Sequence, residues 1–396
     1  MRFARWFLFL LAIGPSTSAR AEDWPNFRGP RYDGISAESG LRTRGDAPPE
    51  RLWSADLGEA FSSFAVVGDR AYTCGDKNKK QNLYCLDASS GEIIWQRDIE
   101  REYPESHGSG TRATPTVDEG RVYIMGAHGR LVCYDAAEGK ELWSHTYRNP
   151  PTWGYSASVL IEGDKAIVQV GGKGAVVALN KETGAEIWKS CEGDAGYATP
   201  YPFKHDGKRY VAVFLGDHLS IVDPLDGRVV FNKEWKTSYK VNAAAPIYHD
   251  GYLLMTSGYH QGAALLKLRT DGDRLAADEV WRSDVLLNKF QSCILYEGRL
   301  YTSDQRALKC VDFLTGEELW SQNRVAHGTL VLADSHLFLL TEKGELRVAP
   351  ISPTGFVPTW SAKILDGRCW TVPVIHNGRL FARSLKEVAC FDIAAK

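Results

Sequence analysis

The sequence predicts an all-β fold, an eight-bladed β-propeller of four-stranded antiparallel blades, and three observations predict it. A turn followed by an aromatic anchor recurs along the chain at intervals of 39 to 50 residues. Strand-like runs fill the space between anchors, four to each interval. A strand near the start of the repeat region is left over to complete the last, three-stranded group, which removes an open sheet edge. Composition agrees, since 37 Gly and 12 Trp against 3 Met among 396 residues suit turns and packed aromatic strands. With 47 Lys+Arg against 49 Asp+Glu, the net charge of −2 excludes a broad basic surface for nucleic acid. A hydrophobic share of 44% and a charged share of 24% describe a chain that folds around a core.

Residues 1–21 carry Arg2 and Arg5, an apolar run from Trp6 to Ile13, and a small-residue end at Ala19-Arg20-Ala21, the pattern of a cleavable signal peptide. The run is far short of the roughly 18 residues a membrane span needs, and no later stretch reaches that length. No Cys follows it, so a periplasmic or secreted, non-lipidated protein is expected. Residues 22–48, rich in Gly, Pro and Arg, read as an N-terminal arm outside the ring, and residues 49–396 as a single propeller domain.

The anchors are Trp53, Trp95, Trp143, Trp188, Phe231, Trp281, Trp320 and Trp360. Before most of them stands a strand ending in Asp or Asn, then three residues, Gly, and three more, as in Asp87, Gly91 and Trp95. The acidic or amide side chain can accept backbone hydrogen bonds within the turn, and Gly supplies the positive φ of a tight reversal. Each anchor then projects to one side of its sheet, where a neighbouring blade buries it. Hairpins follow, such as Arg121–Met125 with Arg130–Tyr134, and Arg299–Thr302 with Leu308–Cys310. Innermost strands rich in small residues are predicted at Ala113–Val117, Tyr155–Val159, Asn242–Pro246 and Gln291–Leu295. Residues 361–396 add Trp370–Ile375, Arg379–Ser384 and Val388–Ile393, and Arg51–Ala55 supplies the missing outer strand of this last blade.

Cys85, Cys133, Cys310 and Cys390 occupy equivalent strand positions, where a small apolar side chain packs. Equivalent strands of different blades lie too far apart for a disulfide framework, and only Cys74 with Cys85, flanking one hairpin, are placed for a bridge. The two-residue alternation contradicts a helical solenoid, and the Trp-Asp dipeptide of WD repeats is absent.

On these residues the chain resembles the pyrroloquinoline-quinone-like propeller repeat, with its Ala-x-Asp-x-x-Thr-Gly-Lys-x-x-Trp motif. The match is nearly complete at Ala178, Asn180, Thr183, Gly184 and Trp188, and good at Asp312, Thr315, Gly316 and Trp320. The head Trp24-Pro25-Asn26-Phe27-Arg28-Gly29-Pro30 is similar to that of exported planctomycete-type members. The resemblance implies one of two classes: a quinoprotein dehydrogenase holding pyrroloquinoline quinone with Ca²⁺ over the channel, or a non-enzymatic scaffold like the outer-membrane assembly lipoprotein. Fold alone does not choose between them.

The dehydrogenase class implies an adjacent Cys-Cys pair and a set of oxygen ligands for the cation; the eight cysteines include no adjacent pair, and the short repeats leave little room for substrate loops. Haem, zinc and nucleophile-elbow motifs are missing. Gly171-Gly172-Lys173-Gly174 lacks the Ser/Thr of a phosphate loop and reads as a hairpin turn, and His107-Gly108-Ser109-Gly110 reads as an inter-blade connection. No catalytic residue and no metal site is assigned.

A binding site is expected instead where the connections entering the innermost strands converge on one channel mouth. That places His107, Arg112, Trp153, Tyr155, Tyr197, Lys240, Asn242, Lys289, Gln291, His327, Arg368 and Trp370 around a cationic, aromatic ring, suited to an anionic ligand or acidic peptide. A solvated funnel whose aromatics fill blade junctions is the alternative. The expected role is a non-catalytic, monomeric scaffold that holds an envelope protein or extended peptide, with quinone binding as the alternative.

Overall fold

A computed structural model describes residues 22–323, 325 and 327–395; the expected signal peptide lies outside them. The described residues form eight four-stranded antiparallel sheets around a central axis, seven of them running in chain order from the innermost strand outward. Blade 1 runs from Ala65–Val67 to Ile93–Arg101, blade 2 from Thr116–Asp118 to Glu141–Thr146, and blade 3 from Leu160–Glu162 to Glu186–Gly193. Blade 4 runs from Tyr201–His205 to Val229–Glu234, blade 5 from Ile247–His249 to Arg274–Ser283, and blade 6 from Ile294–Tyr296 to Glu318–Asn323. Blade 7 runs from Thr329–Ala333 to Trp360–Lys363. In blade 8 the strands Val374–His376, Arg379–Arg383 and Val388–Asp392 are completed by Glu50–Ala55, whose Ala55 pairs with Val388 and Glu50 with Asp392. The ring is thus shut by the beginning and end of the repeat region, as the sequence predicts.

The repeat motif does two jobs. Asp87 Oδ1 accepts from the amides of Ser89 and Ser90, and Asp135, Asn180 and Asp312 repeat this in blades 2, 3 and 6. The anchoring indole then reaches the same turn in the next blade. Trp53, Trp95, Trp143, Trp188, Trp281 and Trp320 donate Nε1–H to the carbonyls of Ala88, Ala136, Lys181, Pro224, Phe313 and Ser352 at 3.0–3.2 Å. Gly91, Gly139, Gly184, Gly227 and Gly316 lie under the incoming rings: a Cβ on Gly184 would stand 2.8 Å from Trp143. Across the strand pair, the anchor faces Cys85, Cys133, Ala178, Cys310 or Cys390, small enough to leave room for the indole. All eight thiols are free, Cys74 and Cys85 included.

Three features depart from the sequence expectation. First, the ladder slips by one residue immediately before the anchor in seven blades, so that Leu52, Ile94, Leu142, Ile187, Val230, Val280 and Leu319 are bulged. A bulge bends and twists its strand, which turns the anchor toward the neighbouring blade. Second, the innermost strands begin later than expected, at Thr116, Leu160, Ile247, Ile294 and Val374. The small residues before them satisfy their backbone through side chains of the next blade instead of a ladder: the amides of Ser63, Thr114, Ser158 and Ala245 donate to Thr114 Oγ1, Ser158 Oγ, Thr199 Oγ1 and Ser292 Oγ.

Third, the arm is packed into the ring rather than standing outside it. Trp24 exchanges backbone hydrogen bonds with Val66 of blade 1, Pro25 O accepts from Val117 of blade 2, and Ser36 and Gly34 pair with Leu332 of blade 7. The arm therefore covers the free inner edges of three blades. Arg28 is buried and donates to the carbonyls of Tyr32, Asp33 and Cys293. Farther along, Trp360 Nε1 donates to Ala47 O at 2.9 Å, Arg42 lies over its ring at 4.4 Å, and Thr359 Oγ1 donates to Thr43 O. Blade 8 draws its outer strand from the other end of the chain and so has no turn before that strand; the arm supplies the missing dock.

Candidate functional site

One end of the channel opens into a cavity of about 270 Å³. Phe27 of the arm lines it, together with the connections entering the innermost strands. Of the expected site residues, His107, Arg112, Trp153, Tyr197, Lys289, Gln291 and Trp370 line it. Tyr155, Lys240, Asn242, His327 and Arg368 do not. Tyr155 is buried behind the wall, donating to Val170 O. Asn242 spends its amide on Leu215 O, Gly216 O and Trp235 O and accepts from Ser257 Oγ, so it ties blades 4 and 5 together. His327 stacks behind Phe290, and Arg368 lies over Trp370.

The expected cationic ring is corrected by where the acids sit. Lys240 pairs with Asp194, and Arg368 Nε stands 3.9 Å from Glu342, which also accepts from Trp370 Nε1. Arg112 meets Glu105 at 3.5 Å and donates to the carbonyls of Gly108 and Gly110, bracing the connection between blades 1 and 2. Burial lowers the Arg112 guanidinium from its ordinary value. Burial also works to raise the Glu105 carboxyl, but hydrogen bonds from the His107 ring and amide and from Ser106 outweigh it and hold it below the usual range. Lys289 is different: its ammonium lies over the Tyr259 ring, 5.1 Å from the centroid, and forms no ion pair with a described carboxylate.

Aromatic rings form two arcs along the rim. Phe61 stacks on Trp370 at 5.7 Å, Trp370 packs on Phe290 at 5.0 Å, and Phe290 stacks on His327 at 5.6 Å. On the opposite side Tyr259, Tyr239, Trp153 and His107 follow one another edge to face at 5.7–6.5 Å. Arg368 joins the two arcs by donating to His107 O at 2.6 Å. Phe61, Tyr259 and Phe290 were missed in the sequence although Phe61 and Phe290 precede innermost strands just as Trp370 does; applying one offset to every blade finds both.

Among the residues lining the cavity, Gln291 has a buried side chain that the fold leaves unsatisfied. It lines the cavity and is only 4% exposed, yet among the described residues neither its Oε1 nor its Nε2 has a hydrogen-bond partner. Its backbone is fixed: the buried Asn288 donates to Gln291 O at 2.9 Å and is itself held by Thr256 and Thr302. A buried amide without partners costs free energy in the empty protein, which a ligand carrying a donor and an acceptor would recover.

Fold and rim together define a tryptophan-docked eight-bladed propeller with an aromatic-rimmed central cavity. Within that class the chain belongs to the family described as outer membrane protein assembly factor BamB, which it matches over residues 45–190, 127–346 and 218–396. It is 25% identical over 179 residues to the BamB of Burkholderia pseudomallei, covering 36% of this chain and 45% of the relative. The BamB of Yersinia pestis is 21% identical over 341 residues, 84% of this chain and 75% of that one. The quinohemoprotein alcohol dehydrogenase ADH-IIG of Pseudomonas putida is 30% identical over 154 residues, 35% of this chain and 20% of the enzyme. The chain therefore spans less than half of two of these three relatives. The crystal structure of BamB from Moraxella catarrhalis shares the fold, with a TM-score of 0.63 at 18% identity, over 87% of this chain and 100% of that one.

The quinone and Ca²⁺ implied by the resemblance to quinoproteins do not fit the residues present. Oxygen ligands for a hard cation are wanting: Glu105 is the one carboxylate lining the cavity, and its oxygens are committed to His107, Ser106 and Arg112. Among the described residues no three His, Cys, Asp or Glu side chains gather as a metal site.

Proposed function

We propose that this protein is a non-catalytic scaffold of the cell envelope that holds a segment of a partner protein in the channel mouth. The observation that carries the reading is the pair of aromatic arcs around a cavity that Phe27 of the arm also lines. Rigid aromatic walls bury a large apolar area at low entropic cost, the property of a protein-binding hot spot. At about 270 Å³ the cavity falls at or below the small end of ligand sites, which suits one or two inserted side chains better than a large cofactor. Relatives named for outer membrane protein assembly support an envelope setting, as does the predicted signal peptide; no described helix is long and apolar enough to cross a membrane.

The test is capture from envelope extracts at moderate salt. Immobilised protein retains a discrete polypeptide, and the Trp370→Ala variant, shown folded by circular dichroism, loses it. Equal retention by the variant would place the partner elsewhere on the ring and overturn the reading.

A further inference from the structure

We infer that the cavity reads one chemical feature of its peptide: a carboxylate next to an aromatic residue, with the intervening peptide group held by Gln291. The inference rests on the peptide-docking reading above and deepens it. Lys289 and Gln291 stand two apart on the same pinned connection, and both face the cavity.

Each of the three recognition groups is set by an observation. The Lys289 ammonium has no described carboxylate partner, whereas Arg112, Lys240 and Arg368 are all committed, so it is the cation left for an incoming anion. Placed over Tyr259, its stem is steered along the wall, and a Cβ on Gly258 would stand 2.8 Å from its Cγ, so that glycine leaves the path clear. Gln291 offers a donor and an acceptor from one rigid position. That is the complement of a peptide unit, which presents one C=O and one N–H. Phe61, Trp370 and Phe290 form an apolar wall on which a planar side chain stacks. Glu105, the carboxylate in the same cavity, is held by Arg112 and His107 and does not neutralise Lys289. A carboxylate could come from a side chain or from a chain end, and the site chemistry is common to both.

The experiment is a fluorescence titration of the intact mature protein with four short peptides. Two are acetyl-Ala-Phe-Glu-Ala-amide and its Gln isostere; two are acetyl-Ala-Phe-Ala with a free carboxylate and the same peptide amidated. A carboxylate-bearing peptide binds at least about tenfold tighter than its neutral counterpart, the scale of one charge-assisted hydrogen bond. The better of the two acids identifies the source. Lys289→Gln abolishes the preference, and Gln291→Leu weakens every peptide by about tenfold while leaving the denaturation midpoint unchanged or higher. Binding that ignores the carboxylate overturns this inference and leaves peptide docking standing. So does a failure of all four peptides while Trp370-dependent capture from extracts persists; failure of both experiments removes the docking reading as well.

Discussion

Gly184→Ala tests the docking mechanism at a single atom. Gly184 has φ +73° and lies beneath the Trp143 indole, so an added Cβ would stand 2.8 Å from Cγ and Cδ2. Gly163, in the same blade, has φ +63° with nothing within 4 Å of its Cβ position. Both substitutions pay the left-handed backbone penalty of about 1–2 kcal/mol, partly offset by the stiffer unfolded chain. Only Gly184→Ala must also displace a ring that is nearly buried and tied through Nε1 to Lys181 O at 3.1 Å. Overpacking of that kind adds about 1–3 kcal/mol. The expected losses are thus about 1 kcal/mol for Gly163→Ala and about 2–4 kcal/mol for Gly184→Ala. Urea unfolding with a slope near 3 kcal/mol/M turns these into midpoint shifts of about 0.3 M and 1 M. In a Trp143→Ala background the two costs should converge, leaving a coupling of about 1–3 kcal/mol. Equal shifts for the two glycines in the parent protein, or no coupling to Trp143, would refute the idea that the indole seats on the turn.

Three further outcomes follow from the same structure. Gln291→Leu removes two unsatisfied buried polar atoms and should raise stability by about 1–3 kcal/mol in urea, a gain at the expense of binding; a loss of stability would mean that the amide is satisfied in the free protein. Deleting residues 22–48 strips Trp24 from its site and Ala47 from Trp360, and should lower stability by at least about 3–5 kcal/mol, the cost of losing one large buried aromatic. At high pH, burial pushes Tyr84, Tyr147 and Tyr197 from 10.0 up to about 12. Their folded values lie above their unfolded ones, so the stability they contribute is complete below pH 10 and lost as pH rises toward 12. The larger part of the tyrosinate absorbance should therefore appear together with unfolding in that window, with only exposed side chains such as Tyr239 free to ionise earlier; complete titration without unfolding would contradict the burial.

The ring was legible in the sequence because its signals are local. Asp87, Gly91 and Trp95 lie within one turn and one strand, and their chemistry recurs in most copies. What escaped depends on contacts between blades. The bulge at Ile94 or Leu142 is a property of ladder register, invisible in an alternating run of residues. The innermost strands were placed a few residues early because Thr114 and Ser158 take hydroxyl partners from the adjacent blade, which strand propensity does not report. Topology brought seven of the twelve expected residues to one cavity, but the charge there was misjudged: Asp194, Glu105 and Glu342 neutralise Lys240, Arg112 and Arg368. Asp194 stands 46 residues from Lys240 in sequence, too far for pairing to be read from spacing. Phe27 was overlooked because a Gly- and Pro-rich arm gives no sign that it enters the channel.

Photo-cross-linking in intact cells tests the channel mouth directly. A photoreactive side chain replaces Tyr259 in the cavity wall in one strain, and Leu225, 74% exposed on the blade 4 turn, in another. The account predicts a discrete envelope polypeptide cross-linked from position 259 and none from position 225. A product formed only from position 225, or from neither, would contradict it.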